Sequence, residues 1–190
     1  MLKKYDLTTK EHYELFMEMS HPEVSIYVRN YMDDFNDYLA NVPNILEREA
    51  RGEMIVRVIF NEWNKPVGMI TLYDITEDGG FLSTWLGKAH HGKGYNQVAK
   101  ELFLNEIFEE SPIQTIFLKV RTNNYRSQKA VLKLAYITQV DEAYETIFQM
   151  INQTKLQYHL YTITRLSYLA HLKQQEVDYI SGVEETNLYI

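Results

Sequence analysis

No cysteine occurs among the 190 residues, which excludes disulfides, a thiolate nucleophile and a cysteine-ligated metal. Positive charge is also short: 19 Lys and Arg face 26 Asp and Glu, a formal net charge of −7. A nucleic-acid partner would want a basic face for its phosphates and is not expected, whereas a cationic substrate is compatible. No segment approaches 18 uninterrupted apolar residues, and after Met1-Leu2-Lys3-Lys4 the chain runs Tyr5-Asp6-Leu7-Thr8-Thr9-Lys10 without the apolar stretch of a secretory signal. The expectation is a soluble cytoplasmic protein with no membrane partner. No repeat or low-complexity tract interrupts a composition that is 45% hydrophobic and 24% charged, that of one globular domain able to bury a real core.

Two nucleotide-loop signatures are missing as well, since neither G-x-x-x-x-G-K-[ST] nor G-x-G-x-x-G occurs. What is present is Phe81-Leu82-Ser83-Thr84-Trp85-Leu86-Gly87-Lys88-Ala89-His90-His91-Gly92-Lys93-Gly94-Tyr95, a strand, a short glycine loop and a helix start. Glycines at 92 and 94 let the backbone turn tightly so that successive N–H groups converge on an anion. The helix behind them adds unpaired amides and its positive dipole end. Val98, Ala99, Leu102, Phe103, Ile107 and Phe108 recur at helical spacing and predict its core face, with Lys100, Glu101, Asn105, Glu106 and Glu109 outside. The loop therefore suits a phosphate or pyrophosphate of another cofactor.

Residues 2 to 7 suggest a first strand, and Thr8-Thr9-Lys10-Glu11 a capping-box helix start carrying Leu15, Phe16 and Met19. Ser20-His21-Pro22-Glu23 repeats that signature with proline early. The polar stretch from Tyr31 to Arg51 is expected to be helical in part and a mobile arm. Met54 to Phe60 and Val67 to Tyr73 read as strands joined by a turn at Asn61 to Pro66, and Phe81 to Leu86 as a fourth. Thr115 to Arg121 alternates as a half-buried strand, and Asn124-Tyr125-Arg126-Ser127 opens a helix continuing to Leu134. Glu145 to Ile151 and Tyr158 to Thr164 read as a closing pair of strands. The fold class is mixed α/β (α+β) in a single domain.

The two strand-to-helix segments together resemble the acetyl-coenzyme A-binding core of the GNAT acetyltransferases, in particular the ribosomal-protein N-terminal acetyltransferase (Rim-type) branch. That branch shows x-x-G-x-G-Y opening a helix, then N-x-x-S, then L-G-[FY]. This chain offers His90-His91-Gly92-Lys93-Gly94-Tyr95, Asn124-Tyr125-Arg126-Ser127 and Leu134-Ala135-Tyr136 in that order. Met19-Ser20-His21-Pro22-Glu23-Val24 and Lys65-Pro66-Val67-Gly68-Met69-Ile70 also resemble family segments. The resemblance implies a GNAT-like domain over residues 1–165, with a central, mostly antiparallel seven-stranded sheet flanked by helices and splayed into a V at the acetyl-CoA site. Residues 166–190 are left as a partly helical extension, expected to dock through Leu166, Leu169, Ala170 and Leu172 on its own domain or on a twin chain in a homodimer.

By the same resemblance, Trp85 and Leu86 offer main-chain groups to the pantetheine arm, and the amides of Gly92, Lys93, Gly94 and Tyr95 hold the pyrophosphate, with His91 and Asn96 beside them. Asn124 caps its helix and also meets a pantetheine amide. Ser127 is the candidate catalytic acid, hydrogen-bonding and protonating the coenzyme thiolate, because relatives in this branch carry serine there; the tyrosine that other members use deeper in this helix is replaced by Val131. The family's glutamate base on the fourth strand has no counterpart in Phe81-Leu82-Ser83-Thr84; Asp74, Glu77 and Asp78 in the preceding loop are the acids that could reach the acceptor. Without a strong base, an α-amine with pKa near 8 is favoured over a lysine amine near 10.4. The expected function is transfer of an acetyl group to a primary amine, a peptide or protein N-terminus before a polyamine, amino sugar or antibiotic, with a non-catalytic acyl-CoA-binding module as the other alternative. No metal is expected, since adjacent His90 and His91 diverge and lack a third ligand at suitable spacing.

Overall fold

The computed structural model describes residues 1–140 and 143–187. Within it the chain divides into two compact units, Met1–Pro112 and the residues from Ile113 onward. In the first unit, β1 (Leu2–Lys4), β2 (Met54–Phe60), β3 (Pro66–Thr76) and β4 (Gly79–Leu86) pair in that order, each antiparallel to the next. Every second residue of a strand faces the same way, yet Val56, Val58 and Phe60 are buried together with Arg57 and Ile59, so β2 is covered on both faces. α1 (Thr9–Met19) packs on β3, and α4 (Tyr95–Glu110) packs on all four strands.

Capping sets the helix starts. Thr8 and Glu11 form the reciprocal box predicted at the head of α1. At α2 (Pro22–Ser25) the cap is His21, whose Nδ1 accepts from the Glu23 amide; the predicted Ser20 instead ends α1, its hydroxyl donating to the Phe16 carbonyl at 2.8 Å. The stretch read as a mobile arm forms α3 (Phe35–Ala50), capped by Asp34, which accepts from the Asn36 and Asp37 amides. Phe35 and Tyr38 stack on each other and both meet the tilted ring of Phe16 of α1, holding α3 down. Below them Tyr5 donates to Tyr38 at 2.7 Å, and the Tyr38 hydroxyl faces His12 Nδ1 at 3.2 Å, all three buried.

α4 has the length predicted but not the rotation. Ala99, Phe103, Leu104, Ile107 and Phe108 are inside, whereas Val98 and Leu102 are 52% and 44% exposed. Apolar residues occupy more than half of this helix's circumference, so spacing left its rotation undecided. The rotation that buries Leu104 also takes Lys100 inside, at 6% exposure, where its ammonium donates to Asn96 Oδ1. Burial lowers the Lys100 pKa to about 8.

In the second unit β7 (Tyr158–Thr164) pairs antiparallel with β5 (Thr115–Arg121) and with the short β6 (Thr138–Gln139). α5 (Tyr125–Val131) ends three residues before the predicted Leu134. Glu145–Ile151, predicted as a strand, is instead the helix α6. Its apolar residues Ile147, Phe148 and Ile151 lie at helical spacing, and Gln149 donates to Glu145 one turn back. α7 (Arg165–Asn187) follows β7 directly. Leu166, Leu169 and Ala170, the predicted docking face, are exposed, and α7 is anchored through Tyr168, packed edge-on to Tyr136 at 5.0 Å. Among the described residues, seven strands, mostly antiparallel in pairing, and seven α-helices make the mixed α/β class expected from sequence.

Candidate active site

β4 brings Trp85 and Leu86 to the edge of the glycine loop. The chain leaves the strand at Gly87, makes a 3₁₀ turn over Lys88–His90 and passes through His91 in an extended conformation. Gly92 and Gly94 then take φ of 74° and 85°, a left-handed region that costs a side-chain-bearing residue roughly 1 kcal/mol or more. Nothing lies within 4 Å of where a Cβ would stand at either glycine, so backbone conformation and not crowding selects them. His91 Nε2 bonds the Leu86 carbonyl at 2.9 Å and ties the loop to the strand end.

Gly94 is the N-cap of α4, and no side chain caps that end. The amides of Gln97 and Val98 bond the Gly94 carbonyl, leaving the first turn without a side-chain acceptor, an arrangement that suits an anionic ligand. Lys93 is exposed beside it. A cavity of about 570 Å³ borders the loop, lined in part by Glu62, Lys93, Gly94, Tyr95 and Val98. Tyr95 donates its phenol to Glu62, and that hydrogen bond holds the Glu62 carboxyl below its usual pKa.

In the second unit Asn124 is the predicted cap, its Oδ1 accepting from the Ser127 amide at 3.1 Å. Ser127 is half-buried one turn into α5, and its hydroxyl bonds no other described residue. The Gln128 side-chain Nε2 donates to the Arg121 and Thr122 carbonyls, fastening α5 to the end of β5. Val131 is buried in the local core.

Of the acids considered as bases, Asp74 is engaged by Arg29 at 3.1 Å and Arg48 at 3.5 Å, and Glu77 and Asp78 are exposed in the turn between β3 and β4. Sequence spacing gave no sign of Glu18. This carboxylate, in the last turn of α1, lies against Gly87 and has His90 Nε2 3.4 Å from Oε1. His90 and His91 diverge as expected, one toward Glu18 and the other toward Leu86. Among the described residues no group of three His, Asp or Glu is placed to hold a metal ion.

A β4 strand running into a glycine loop and an uncapped helix, with an Asn-capped serine helix after β5, is the pattern of an acyl-coenzyme A-dependent transferase. The family profile described as an acetyltransferase (GNAT) domain matches residues 6–136, and the chain belongs to that family of acyltransferases, whose co-substrate is acetyl-CoA. It is similar in fold to the apo form of FdhC, a nucleotide-linked sugar GNAT, with a TM-score of 0.68, 16% identity, and coverage of 94% of this chain and 92% of that one. A chimera of spermidine N-acetyltransferase SpeG from Vibrio cholerae with hSSAT gives 0.67 at 16% identity, over 89% and 97%. A provisionally assigned ribosomal-protein-serine acetyltransferase from Vibrio cholerae gives 0.67 at 15%, over 86% and 93%. No curated protein sequence matches the chain. No described helix is long and apolar enough to cross a membrane.

Proposed function

We propose that this protein is an acetyl-CoA-dependent N-acetyltransferase of the cytoplasm, active on a peptide or protein N-terminal α-amine by direct attack in a ternary complex. The observation that carries the cofactor half is the α4 N-terminus, free of any side-chain cap and preceded by two left-handed glycines. There the amides of Gly92, Lys93, Gly94 and Tyr95 would hold the pyrophosphate, with Asn96 in the same turn and Lys93 adding charge. Trp85 and Leu86 would present main-chain groups to the pantetheine arm, and His91 would keep the end of that strand in place.

When bound, the coenzyme supplies a thioester activated for acyl transfer. Asn124 would accept from or donate to the pantetheine chain while capping α5. Ser127 would give its proton to the departing sulfur, a role open to its hydroxyl because Asn124 engages only its amide. Ser127→Ala should therefore lower kcat by about 10-fold or more while leaving the Kd for acetyl-CoA nearly unchanged. An unchanged kcat assigns that proton to another group.

A small-molecule amine is the competing acceptor, favoured by the modest cavity of about 340 Å³ beside the loop. A homodimer through the exposed leucines of α7 and a domain spanning residues 1–165 complete the proposal. The thermal midpoint with and without acetyl-CoA, with pantetheine as the phosphate-free control, tests the cofactor. Thiol release with N-terminal peptides against spermidine then tests the acceptor. A phosphate-dependent rise followed by peptide turnover supports the proposal. No rise removes the enzyme reading in favour of a glycine loop that is only a turn.

A further inference from the structure

Of the acids singled out from sequence, Asp74 is held by two arginines and Glu77 and Asp78 are exposed in a turn, whereas the first unit places another carboxylate beside the loop. α1 ends with Glu18 pressed so closely on the end of β4 that a methyl group at Gly87 would stand 1.7 Å from Oε2 and 2.6 Å from the carboxyl carbon. Gly87 is buried and its φ of −56° is open to any residue, so a side chain there would be met first by the Glu18 carboxylate and would push it aside. Its neighbours Trp85 and Leu86 are those assigned to the pantetheine arm, which puts Glu18 beside the strand end where the thioester is expected.

His90 Nε2 lies 3.4 Å from Glu18 Oε1, with the two side chains only 14% and 31% exposed, and the His90 ring meets Tyr95 edge-on at 5.7 Å. Glu18 and Lys88 line the same cavity of about 340 Å³, together with Met17, His21 and Ala89. Lys88 does not neutralise Glu18, because its ammonium pairs with Glu23. Among the described residues no lysine or arginine pairs with Glu18. A carboxylate with no permanent cation, a histidine at its side and an open cavity in front make a receptor for an ammonium group.

We propose that Glu18 and His90 form the acceptor-amine site and together serve as its proton acceptor, an inference that rests on the acetyltransferase reading above. The substrate is then a primary amine that arrives as its cation, anchored by Glu18. One ammonium proton passes to the Glu18–His90 pair, leaving the neutral amine. Its nitrogen bonds the acetyl carbon as the carbon–sulfur bond breaks, the sulfur takes the Ser127 proton to become the free thiol, and the second nitrogen proton replaces the one Ser127 gave. The pair returns its proton to water, so the products are the amide, the thiol and one proton.

Steady-state kinetics on the full-length chain, varying the amine at saturating acetyl-CoA, test this with Glu18→Gln and His90→Asn. Glu18→Gln should raise the amine KM about 10-fold or more and lower kcat about 100-fold, and His90→Asn should lower kcat with a smaller change in KM. Both variants should keep the parental rise in thermal midpoint with acetyl-CoA, which distinguishes loss of the acceptor site from loss of fold or of the coenzyme site. Asp74→Asn, which alters the acid held by Arg29 and Arg48, should turn over like the parent. Parental KM and kcat in both variants overturn the dyad while leaving the acetyltransferase reading standing. Absence of any coenzyme-dependent rise in the parent overturns that reading itself.

Discussion

Lys100 and His12 are two basic side chains that the fold holds inside, and each makes stability depend on pH in its own window. Burial lowers the Lys100 pKa to about 8, so between pH 8 and about 10.4 the unfolded chain binds more protons than the folded one and stability rises with pH. The full effect is about 3 kcal/mol against the folded state at neutral pH. Lys100→Met, close in volume, should stabilise the protein by about 1–3 kcal/mol at pH 7 and flatten that slope in urea titrations. Burial also depresses His12, with Glu11 opposing it weakly. The neutral imidazole is the folded form, so its contribution is complete above about pH 6.5 and is lost as pH falls through the depressed folded value. Thermal midpoints measured from pH 7 to 5 should fall, and His12→Gln should fall less steeply.

At the scale of elements, much of the local chemistry was legible, although the cap read at Ser20 falls on His21. The Thr8–Glu11 box, the Asn124 cap and the left-handed glycines each depend on a few neighbouring residues, and each formed where it was read. Rotation and element type depend on what covers the segment, and there periodicity failed. In α4 the evenly spread apolar residues permitted two rotations, and packing chose the one with Phe103 and Leu104 inside. Glu145–Ile151 reads in sequence as a strand closing the sheet beside Tyr158–Thr164, but β7 already has β5 and β6 on its two sides, and the segment is a helix instead. The α4 correction has a direct check by denaturant titration. Phe103→Ala should cost about 3–5 kcal/mol, and Leu102→Ala less than about 1 kcal/mol.

At the scale of the whole molecule, the family was legible because the residues that carry its resemblance, Gly92, Gly94 and Asn124, set backbone geometry within a few neighbouring residues. The acceptor was not, because Glu18 and His90 come from distant parts of the chain and meet only in the fold. A native-state ligand at about 100 times its Kd adds roughly 2.7 kcal/mol, so saturating acetyl-CoA should raise the thermal midpoint by about 5–10 °C for a chain of this size.

The sealed position of Lys100 has one more consequence, which concerns breathing. Amine-reactive reagents label the surface lysines at once, but they reach Nζ of Lys100 only when α4 lifts from the strands beneath it. Its labelling rate, followed by mass spectrometry of the peptide spanning α4, is therefore a clock for the opening of the first unit. A coenzyme seated on the first turn of the same helix would slow that clock.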